Sequence, residues 1–243
     1  VTVLCACGDE SQSEVGGTGS DGTSTSGEAV TGGELVVGIS QDLGDSLDPY
    51  QMTAAGTREV LFNVYEGLVK PTSTGEYVPA VASDSTVSED GLTYTFPLRE
   101  GVLFHNGEEV TTDDVIYSFE TCAETTVDTA LAAALSAVES VTADGNTITV
   151  TLSEANPDFL SYVGMVYIVP DDYTDQATAP VGTGPFRFVS RSVQQNLVME
   201  KFADYWGEGA SLDKVTFQIF EDSNALMSAL SAESVDMAVH LTI

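Results

Sequence analysis

Residues 90–119 read DGLTYTFPLREGVLFHNGEEVTTDDVIYSF, and this stretch decides the fold class of the chain. Asp90 and Gly91 form a turn dipeptide, and apolar and polar residues then alternate over 92–98, as in a strand with one buried face. Pro97 lies within this run. Because proline cannot donate a hydrogen bond to a neighbouring strand, we expect the strand either to lie at a sheet edge or to turn the Pro97 nitrogen outward.

The second half of the stretch predicts a turn followed by a capped helix. A short apolar run at 102–104 leads into Asn-Gly at 106–107, a dipeptide typical of tight turns. Thr111 stands at the capping-box spacing before Asp114, and the apolar residues of a helix face follow it. A strand, a turn and a capped helix in this order predict a globular fold of the α/β class.

Composition supports a folded body and excludes some partners. The chain has 243 residues, of which 42% are hydrophobic, enough for a sizeable core. Its 38 acidic residues outnumber 7 lysines and arginines, which gives a formal net charge of −31. Such a chain has no basic stripe to neutralise phosphates, so it repels nucleic acid and anionic lipid surfaces, and binding to nucleic acid is excluded. The charge favours solubility at a crowded surface, with attraction of cationic solutes as the alternative.

The N-terminus predicts a lipid anchor. The chain begins VTVLCACG, in which an apolar run ends at two cysteines. The segment from Leu4 through Cys5 to Cys7 resembles a bacterial lipobox, in which a signal peptidase cleaves before a cysteine that carries a diacylglycerol. On this interpretation residues 1–7 are the remnant of a signal peptide with its lipobox, and Cys7 is the lipidated N-terminus. We therefore expect a protein anchored at the outer face of the cytoplasmic membrane, on its extracellular or periplasmic side.

Residues 8–33 predict a disordered acidic tether. They consist mainly of Gly, Ser, Thr and acidic residues, and they contain no aromatic residue, Lys or Arg. Such a segment cannot bury enough apolar surface to offset the entropy lost on ordering, and it would hold a domain away from a membrane. Folded structure is expected from Glu34, where a strand-like run begins.

Local patterns predict several further elements. Residues 54–66 have the apolar spacing of a helix, and Gly67 is suited to end it at a positive φ. Residues 144–146 predict a hairpin turn, and residues 165–169 predict a strand. Glu233 follows a predicted helix, and if it keeps a left-handed conformation there, a residue other than glycine pays about 1 kcal/mol.

The stretch 90–119 closely resembles the solute-binding proteins of peptide and nickel ABC importers, the family-5 extracytoplasmic binding proteins. The family pattern reads DG-x-T-Y-T-F-x-L-R-x-G-V-x-F-H-x-G-x-x-x-T-x-x-D-V-x-Y-S, and nearly every fixed position is filled from Asp90 to Ser118. Further segments that resemble the family are SLDP at 46–49, NVYEGL at 63–68, VGTGPF at 181–186, DYW at 204–206 and LDKVTF at 212–217.

The resemblance implies an α/β fold of the type-II periplasmic-binding-protein architecture, with mixed sheets and flanking helices. Residues 34–243 correspond to the first lobe, with an inserted subdomain at about 68–180. The second lobe, which completes the family's ligand cleft, is absent from the sequence. We therefore expect this chain to be a truncated, N-terminal fragment of such a protein.

No pattern in the sequence points to catalysis or to a metal. Nucleophile-elbow and zinc-protease motifs are absent, and no cysteine has a histidine suited to activate it. The odd set of Cys5, Cys7 and Cys122 is not spaced as zinc ligands. Neither His105 nor His240 has ligand-type neighbours at metal spacing, and His105 is interpreted as a polar turn residue. We predict a protein that is not an enzyme, without cofactor or metal.

For ligand and partners, the resemblance implies a receptor that captures short peptides between two lobes and delivers them to the permease subunits of an ABC transporter, as a monomer. By analogy with peptide-binding members, the segment after Asp48 supplies backbone partners to the ligand, which points to Thr53, Ala54 and Ala55. The alternative is that these three residues only begin the helix. Nickel or another solute is the alternative ligand, and a surface lipoprotein without a transported ligand is the alternative function.

Overall fold

The computed structural model describes residues 31–239, and the predictions for Cys5, Cys7, His240 and most of the tether lie outside this range. The described elements, in chain order, are β1 (Glu34–Ile39), α1 (Ala55–Leu61), β2 (Val69–Pro71), β3 (Tyr77–Pro79), β4 (Thr86–Val87), β5 (Thr93–Pro97), α2 (Thr112–Thr125), α3 (Thr129–Leu135), β6 (Val138–Asp144), β7 (Thr147–Leu152), α4 (Phe159–Val163), β8 (Phe186–Ser192), β9 (Asn196–Lys201), β10 (Lys214–Ile219), α5 (Ser223–Ser231) and β11 (Met237–Val239).

The larger sheet has five strands in the order β11-β1-β10-β9-β8. Strand β1 runs parallel to both neighbours, with Val37 opposite Phe217 on one side and Met237 on the other. The β8–β9 and β9–β10 pairs are antiparallel. The following helix α5 ends before Glu233, whose φ of 56° is left-handed, so the cost of this conformation for a residue other than glycine applies.

A second sheet has four strands in the order β4-β5-β7-β6, and it is formed by the chain between β1 and β8. The predicted strand at 92–98 is confirmed as β5, and its residues Tyr94 and Phe96 are buried. The predicted turn at 144–146 joins β6 to β7. Helices α2 and α3 pack together beside this sheet.

Pro97 occupies the last position of β5, which is not an edge strand because β4 and β7 flank it. The expectation of an edge position is therefore wrong. The N–H of Leu98 donates to the Asn146 carbonyl on the β7 side, so the Pro97 nitrogen faces the opposite side. On that side the chain continues to pair beyond β4, since the Pro97 carbonyl accepts the Ser83 N–H at 2.8 Å. The alternative of an outward-facing nitrogen is therefore also wrong, and the strand lacks one donor opposite Ser83.

The predicted capping box begins α2. The Thr111 Oγ1 accepts the Asp114 N–H at 3.2 Å, and the Asp114 Oδ2 accepts the Thr111 N–H at 2.7 Å. The other carboxylate oxygen of Asp114 accepts the Asp171 N–H at 3.0 Å. The cap therefore satisfies the helix end and also ties it to a distant loop.

Helix α1 is shorter than predicted, because it ends at Leu61 rather than at residue 66. Gly67 is not among the glycines with positive φ. It is required instead by close packing, since a Cβ at this position would lie 3.0 Å from the carbonyl oxygens of Val163 and Val166. The predicted positive φ of Gly67 is therefore wrong, and the glycine is needed for close packing instead.

The predicted strand at 165–169 is also wrong. These residues follow α4 as an irregular buried segment, with Val166 and Ile168 fully inaccessible. The Ile168 N–H donates to the Glu66 carbonyl, and the Val169 N–H donates to Ser118 Oγ at 3.0 Å. The backbone of this segment makes isolated hydrogen bonds to separate partners instead of the regular ladder of a strand. An apolar composition alone is therefore not sufficient to predict a strand here.

Candidate functional site

Two regions of the structure with buried polar side chains are candidates for a functional site. The first of these regions surrounds Glu66. This carboxylate is only 5% exposed. Its Oε1 accepts hydrogen bonds from Lys70 Nζ at 3.0 Å and from the Tyr205 hydroxyl at 2.7 Å. Its Oε2 accepts from Trp206 Nε1 at 2.8 Å and from Thr183 Oγ1 at 3.4 Å. A buried charge with this many donors is compensated, and it joins three separate parts of the chain.

Two cations pack on the Trp206 ring beside this carboxylate. Lys70 Nζ lies 5.0 Å from the ring centroid and Arg99 Cζ lies 4.1 Å from it, both within cation–π range. Arg99 also donates from Nε to the Ala80 carbonyl at 3.1 Å and from Nη2 to the Ala82 carbonyl at 3.4 Å. The arginine of the stretch 90–119 therefore fixes the segment that precedes it.

His105 joins the stretch 90–119 to the segment 181–186. Its Nδ1 accepts the Gly182 N–H at 3.3 Å, so its Nε2 carries the proton and donates to the Gly184 carbonyl at 2.9 Å. Burial lowers the pKa of His105 from 6.5 to about 4, with a smaller opposing effect from the Gly184 carbonyl. The imidazole is neutral at pH 7 and has a larger structural role than the turn residue that the sequence suggested.

The two glycines of the segment 181–186 are required by backbone contact. A Cβ on Gly182 would overlap the Val64 carbonyl, and one on Gly184 would overlap the Asn63 carbonyl. The Gly184 N–H donates to the Val64 carbonyl at 3.0 Å. We call this assembly the signature junction; its residues are Asn63, Val64, Glu66, Lys70, Arg99, His105, Gly182, Thr183, Gly184, Tyr205 and Trp206. It binds together the segments that resemble the family, and it has a structural role.

The second region is the β1–α1 loop, residues 40–54. Strands β1, β10 and β11 are parallel, so their carboxyl ends at Ile39, Ile219 and Val239 lie at one edge of the sheet. Ligands of open α/β sheets bind in the crevice outside the carboxyl ends of the strands. The β1–α1 loop leaves the sheet at this edge, which makes it the candidate binding region.

Buried tyrosines anchor the middle of the β1–α1 loop. The Tyr65 hydroxyl donates to the Leu47 carbonyl at 3.1 Å, and the Tyr50 hydroxyl donates to the Tyr167 carbonyl at 2.6 Å. The Leu47 N–H donates to the Ala177 carbonyl at 2.9 Å. Burial raises the pKa of both phenols well above the usual range, so they remain donors at physiological pH.

An arginine and a threonine hold the beginning of the same loop. Arg191, on β8, donates to the Gly44 carbonyl at 2.8 Å and to the Leu43 carbonyl at 2.9 Å. It also donates to Asp42 Oδ1 at 3.3 Å. The Gly44 N–H donates to Thr57 Oγ1 at 2.7 Å. Sequence reasoning missed these partners, because about 150 residues separate Arg191 from the loop that it contacts.

The predicted ligand-binding residues end this loop. Thr53 and Ala55 are exposed, Ala54 is half-buried, and Ala54 is the extended N-cap residue of α1. Ala54 caps α1 and Ala55 is its first residue, while Thr53 precedes the helix, so beginning the helix does not prevent the segment from contacting a ligand. None of their three N–H groups donates to any residue from 31 to 239. Their role in ligand binding stays a prediction.

Few cationic side chains balance the negative charge near the β1–α1 loop. Arg58, on α1, pairs with Asp128 Oδ2 at 3.1 Å, and Arg191 pairs with Asp42. Asp45 lies exposed on the loop without an ion pair among residues 31–239. The region therefore keeps a negative balance, as the composition of the whole chain suggests.

The rest of residues 31–239 offers little other chemistry. In this range no group of three or more His, Cys, Asp or Glu side chains is arranged to hold a metal ion. No helix in it is long and apolar enough to cross a membrane. Burial raises the pKa of the Cys122 thiol to about 12, so this cysteine is protonated and unreactive.

The fold and these contacts can now be compared with known proteins. The sequence profile described as "Bacterial extracellular solute-binding proteins, family 5 Middle" matches residues 76–243. The nickel-binding periplasmic protein of Escherichia coli K12 is 30% identical over 184 residues, which cover 72% of this chain and 35% of that protein. The heme-binding protein A of Haemophilus influenzae is 33% identical over 208 residues, which cover 72% of this chain and 38% of that protein.

A solved structure resembles the whole described fold. The periplasmic binding protein DppA of Helicobacter pylori, in complex with the peptide STSA, superposes with a TM-score of 0.76 at 31% identity. The match covers 84% of this chain and 46% of that one. The architecture is therefore that of one lobe of a type-II periplasmic binding protein. The chain belongs to the family-5 bacterial extracellular solute-binding proteins, and it spans between a third and a half of the length of these relatives.

Proposed function

We propose that this chain is the first lobe of an extracytoplasmic substrate-binding protein that captures short peptides for an ABC importer. The observation that carries the proposal is the β1–α1 loop, which offers three backbone N–H groups without acceptors at the carboxyl edge of the sheet. The similar DppA of Helicobacter pylori is described in complex with a peptide. The proposal includes a monomeric protein that works with permease subunits and has no catalytic activity.

Recognition through backbone groups suits a receptor for peptides of varied sequence. Main-chain hydrogen bonds give affinity that does not depend on side chains, and the pockets around them give selectivity. Thr53, Ala54 and Ala55 have small side chains, so a ligand can approach their backbone closely. A second lobe would close over this edge by a hinge motion, with the ligand contacts stabilising the closed state.

The proposed organisation has three parts. Residues 1–7 are the signal-peptide remnant and lipobox, residues 8–33 are the tether, and residues 34–243 are the first lobe with an insert at about 68–180. The lipid on Cys7 would hold the protein at the outer face of the cytoplasmic membrane. Labelling of cells with a radioactive fatty acid tests the anchor, since Cys7→Ala is expected to abolish incorporation. Continued labelling of the variant would refute it.

The ligand class is tested by calorimetry on the protein expressed from its complete reading frame. We expect heat on titration with di- to oligopeptides and none with free amino acids. Absence of heat with every peptide would overturn the peptide assignment. The similarity to the nickel-binding protein of Escherichia coli makes nickel the second candidate, so nickel chloride and nickel–histidine are titrated in parallel. A response to these alone would assign the protein to nickel uptake.

A further inference from the structure

Arg191 connects the edge strand β8 to the β1–α1 loop. Its side chain is only 9% exposed, although arginine is seldom buried. The guanidinium donates to two successive loop carbonyls, those of Leu43 and Gly44, and to the carboxylate of Asp42. A planar group that contacts two carbonyls and a carboxylate fixes the direction of the backbone as well as its distance.

The loop residue Asp42 in turn binds the turn between β8 and β9. Asp42 Oδ2 accepts the N–H of Gln194 at 2.7 Å, and Asp42 Oδ1 accepts the N–H of Leu43 at 2.7 Å. Gln194 has a φ of 61°, a conformation that residues other than glycine rarely adopt. The turn of the β8–β9 hairpin is thus held in a strained form in which its N–H reaches the loop carboxylate.

From Gly44 the contacts continue to the predicted ligand-binding residues. The Gly44 N–H donates to Thr57 Oγ1, and Thr57 is fully buried in the first turn of α1. The space beside Gly44 is occupied by Ala54 and Thr53, whose side-chain atoms lie 3.8 and 3.9 Å from a Cβ placed on Gly44. A shift of Gly44 would therefore move the segment 53–55.

The energetic cost of burying Arg191 indicates that this residue orients the loop and does not merely stabilise the fold. Arg191 Nε is buried without a hydrogen-bond partner in residues 31–239, which carries a desolvation cost. An apolar side chain at this position would avoid that cost, and replacement of buried ionic groups by apolar ones is often neutral or stabilising. What an apolar side chain cannot supply is the set of donors that orients the two carbonyls.

We propose that Arg191 is a positioning residue for ligand binding: it sets the β1–α1 loop so that the N–H groups of Thr53, Ala54 and Ala55 face the ligand. This inference rests on the proposed function. It extends that proposal by assigning the geometry of the binding edge to a residue on the edge strand β8, outside the short family motifs at 181–186 and 204–206.

The test uses Arg191→Lys and Arg191→Met in the protein expressed from its complete reading frame. Lysine keeps the charge but cannot reproduce the planar fork, and methionine keeps the bulk without donors. The matched control is Arg187→Met on the same strand, because Arg187 is half-exposed and pairs with Glu200 away from the loop. Amide hydrogen exchange is measured without ligand, and affinity for the peptide Ser-Thr-Ser-Ala is measured by calorimetry.

We expect both Arg191 variants to speed exchange about tenfold at the Gly44 and Leu47 amides, while the core amide of Val37 changes less than about twofold. Peptide affinity is expected to fall about tenfold in the same variants and to stay unchanged in Arg187→Met. Uniform faster exchange, or no local change, would overturn the inference, as would local loosening with unchanged affinity. If the wild type bound neither this peptide nor any other, the proposed function would be overturned instead, while the exchange data would still show whether Arg191 orders the loop.

Discussion

The signature junction and the β1–α1 loop are held in place in different ways. In the junction, buried groups satisfy one another completely: Glu66 accepts from Lys70, Tyr205, Trp206 and Thr183, and glycines admit the neighbouring backbone. In the loop, the supporting groups are also buried, but its end at Thr53–Ala55 presents exposed N–H groups without acceptors. The segments that identify the family therefore stabilise the lobe, whereas the residues that would meet a ligand carry no distinctive side chain.

The largest effect is expected from Glu66→Ala. The substitution removes the shared acceptor of the partly exposed Lys70 ammonium, the half-buried Tyr205 and Trp206 donors and the buried Thr183 hydroxyl, so the free energy of unfolding should fall by about 3–5 kcal/mol. Chemical denaturation followed by circular dichroism measures this change. The control is Glu200→Ala, which removes a half-exposed pair with Arg187 and should cost less than about 1 kcal/mol. Equal losses in the two variants would contradict the special role of the junction.

A second prediction concerns the pH dependence that His105 gives to the junction. Folding lowers the pKa of His105 from 6.5 to about 4, so between these values the unfolded chain binds a proton that the folded chain does not. The free energy of unfolding should therefore fall by about 3 kcal/mol as the pH drops from 6.5 to 4.

The His105 contribution is isolated by comparison with His105→Gln, because many carboxylates titrate in the same range. The variant should be less stable at pH 7, and the stability difference between it and the wild type should shrink as the pH falls. Denaturation curves at several pH values measure this difference. Parallel pH profiles would show that His105 does not titrate as proposed.

The third prediction tests the close backbone contact in the junction. Gly184→Ala would place a methyl group against the Asn63 carbonyl, and because backbone must move, stability should fall by about 1–3 kcal/mol. Gly209→Ala is the control, since its Cβ would lie 3.5 Å from Lys201 Cε, an ordinary contact. Thermal unfolding of both variants gives the comparison. A loss in Gly209→Ala as large as that in Gly184→Ala would argue against the packing explanation.

The smallest effect on stability is expected in the loop, from Ala55→Pro. Proline is tolerated at the first helical position, and the extended Ala54 before it, with φ −87° and ψ 126°, suits a residue preceding proline. The variant should keep the melting temperature but lose one N–H donor, which should weaken peptide binding about tenfold. Thr112→Pro, at the first position of α2, is the matched control. Unchanged affinity in Ala55→Pro would remove this N–H from the binding site.

Sequence predicted best those features whose partners are close in the chain. The capping box of Thr111 and Asp114, the alternation in β5 and the turn at 144–146 each depend on a few neighbouring residues. Such local rules give the right element because the interaction closes within a turn or two.

Predictions failed where the deciding contact is distant. The sequence predicts Gly67 as the end of a helix. The structure requires glycine there because the carbonyls of Val163 and Val166 leave little room for a side chain. The buried segment 165–169 has the composition of a strand but is not part of any strand among residues 31–239. The roles of Glu66 and Arg191 could not be predicted either. Tyr205 and Trp206 lie 139 and 140 residues from Glu66, and Gly44 lies 147 residues from Arg191, at separations that follow no spacing rule.

The parallel pairing of β1 has a consequence for the order of folding. Glu34 lies opposite Lys214, so the central pair of the larger sheet joins residues 180 positions apart. Closing such a long loop costs conformational entropy before the contacts between its ends can stabilise the fold. Topologies of this kind therefore fold slowly. During synthesis β1 cannot pair with β10 until residues 214–219 have left the ribosome. Until then the apolar side chains of β1 lack their partner strand, and unpaired strands of this kind favour aggregation or chaperone binding.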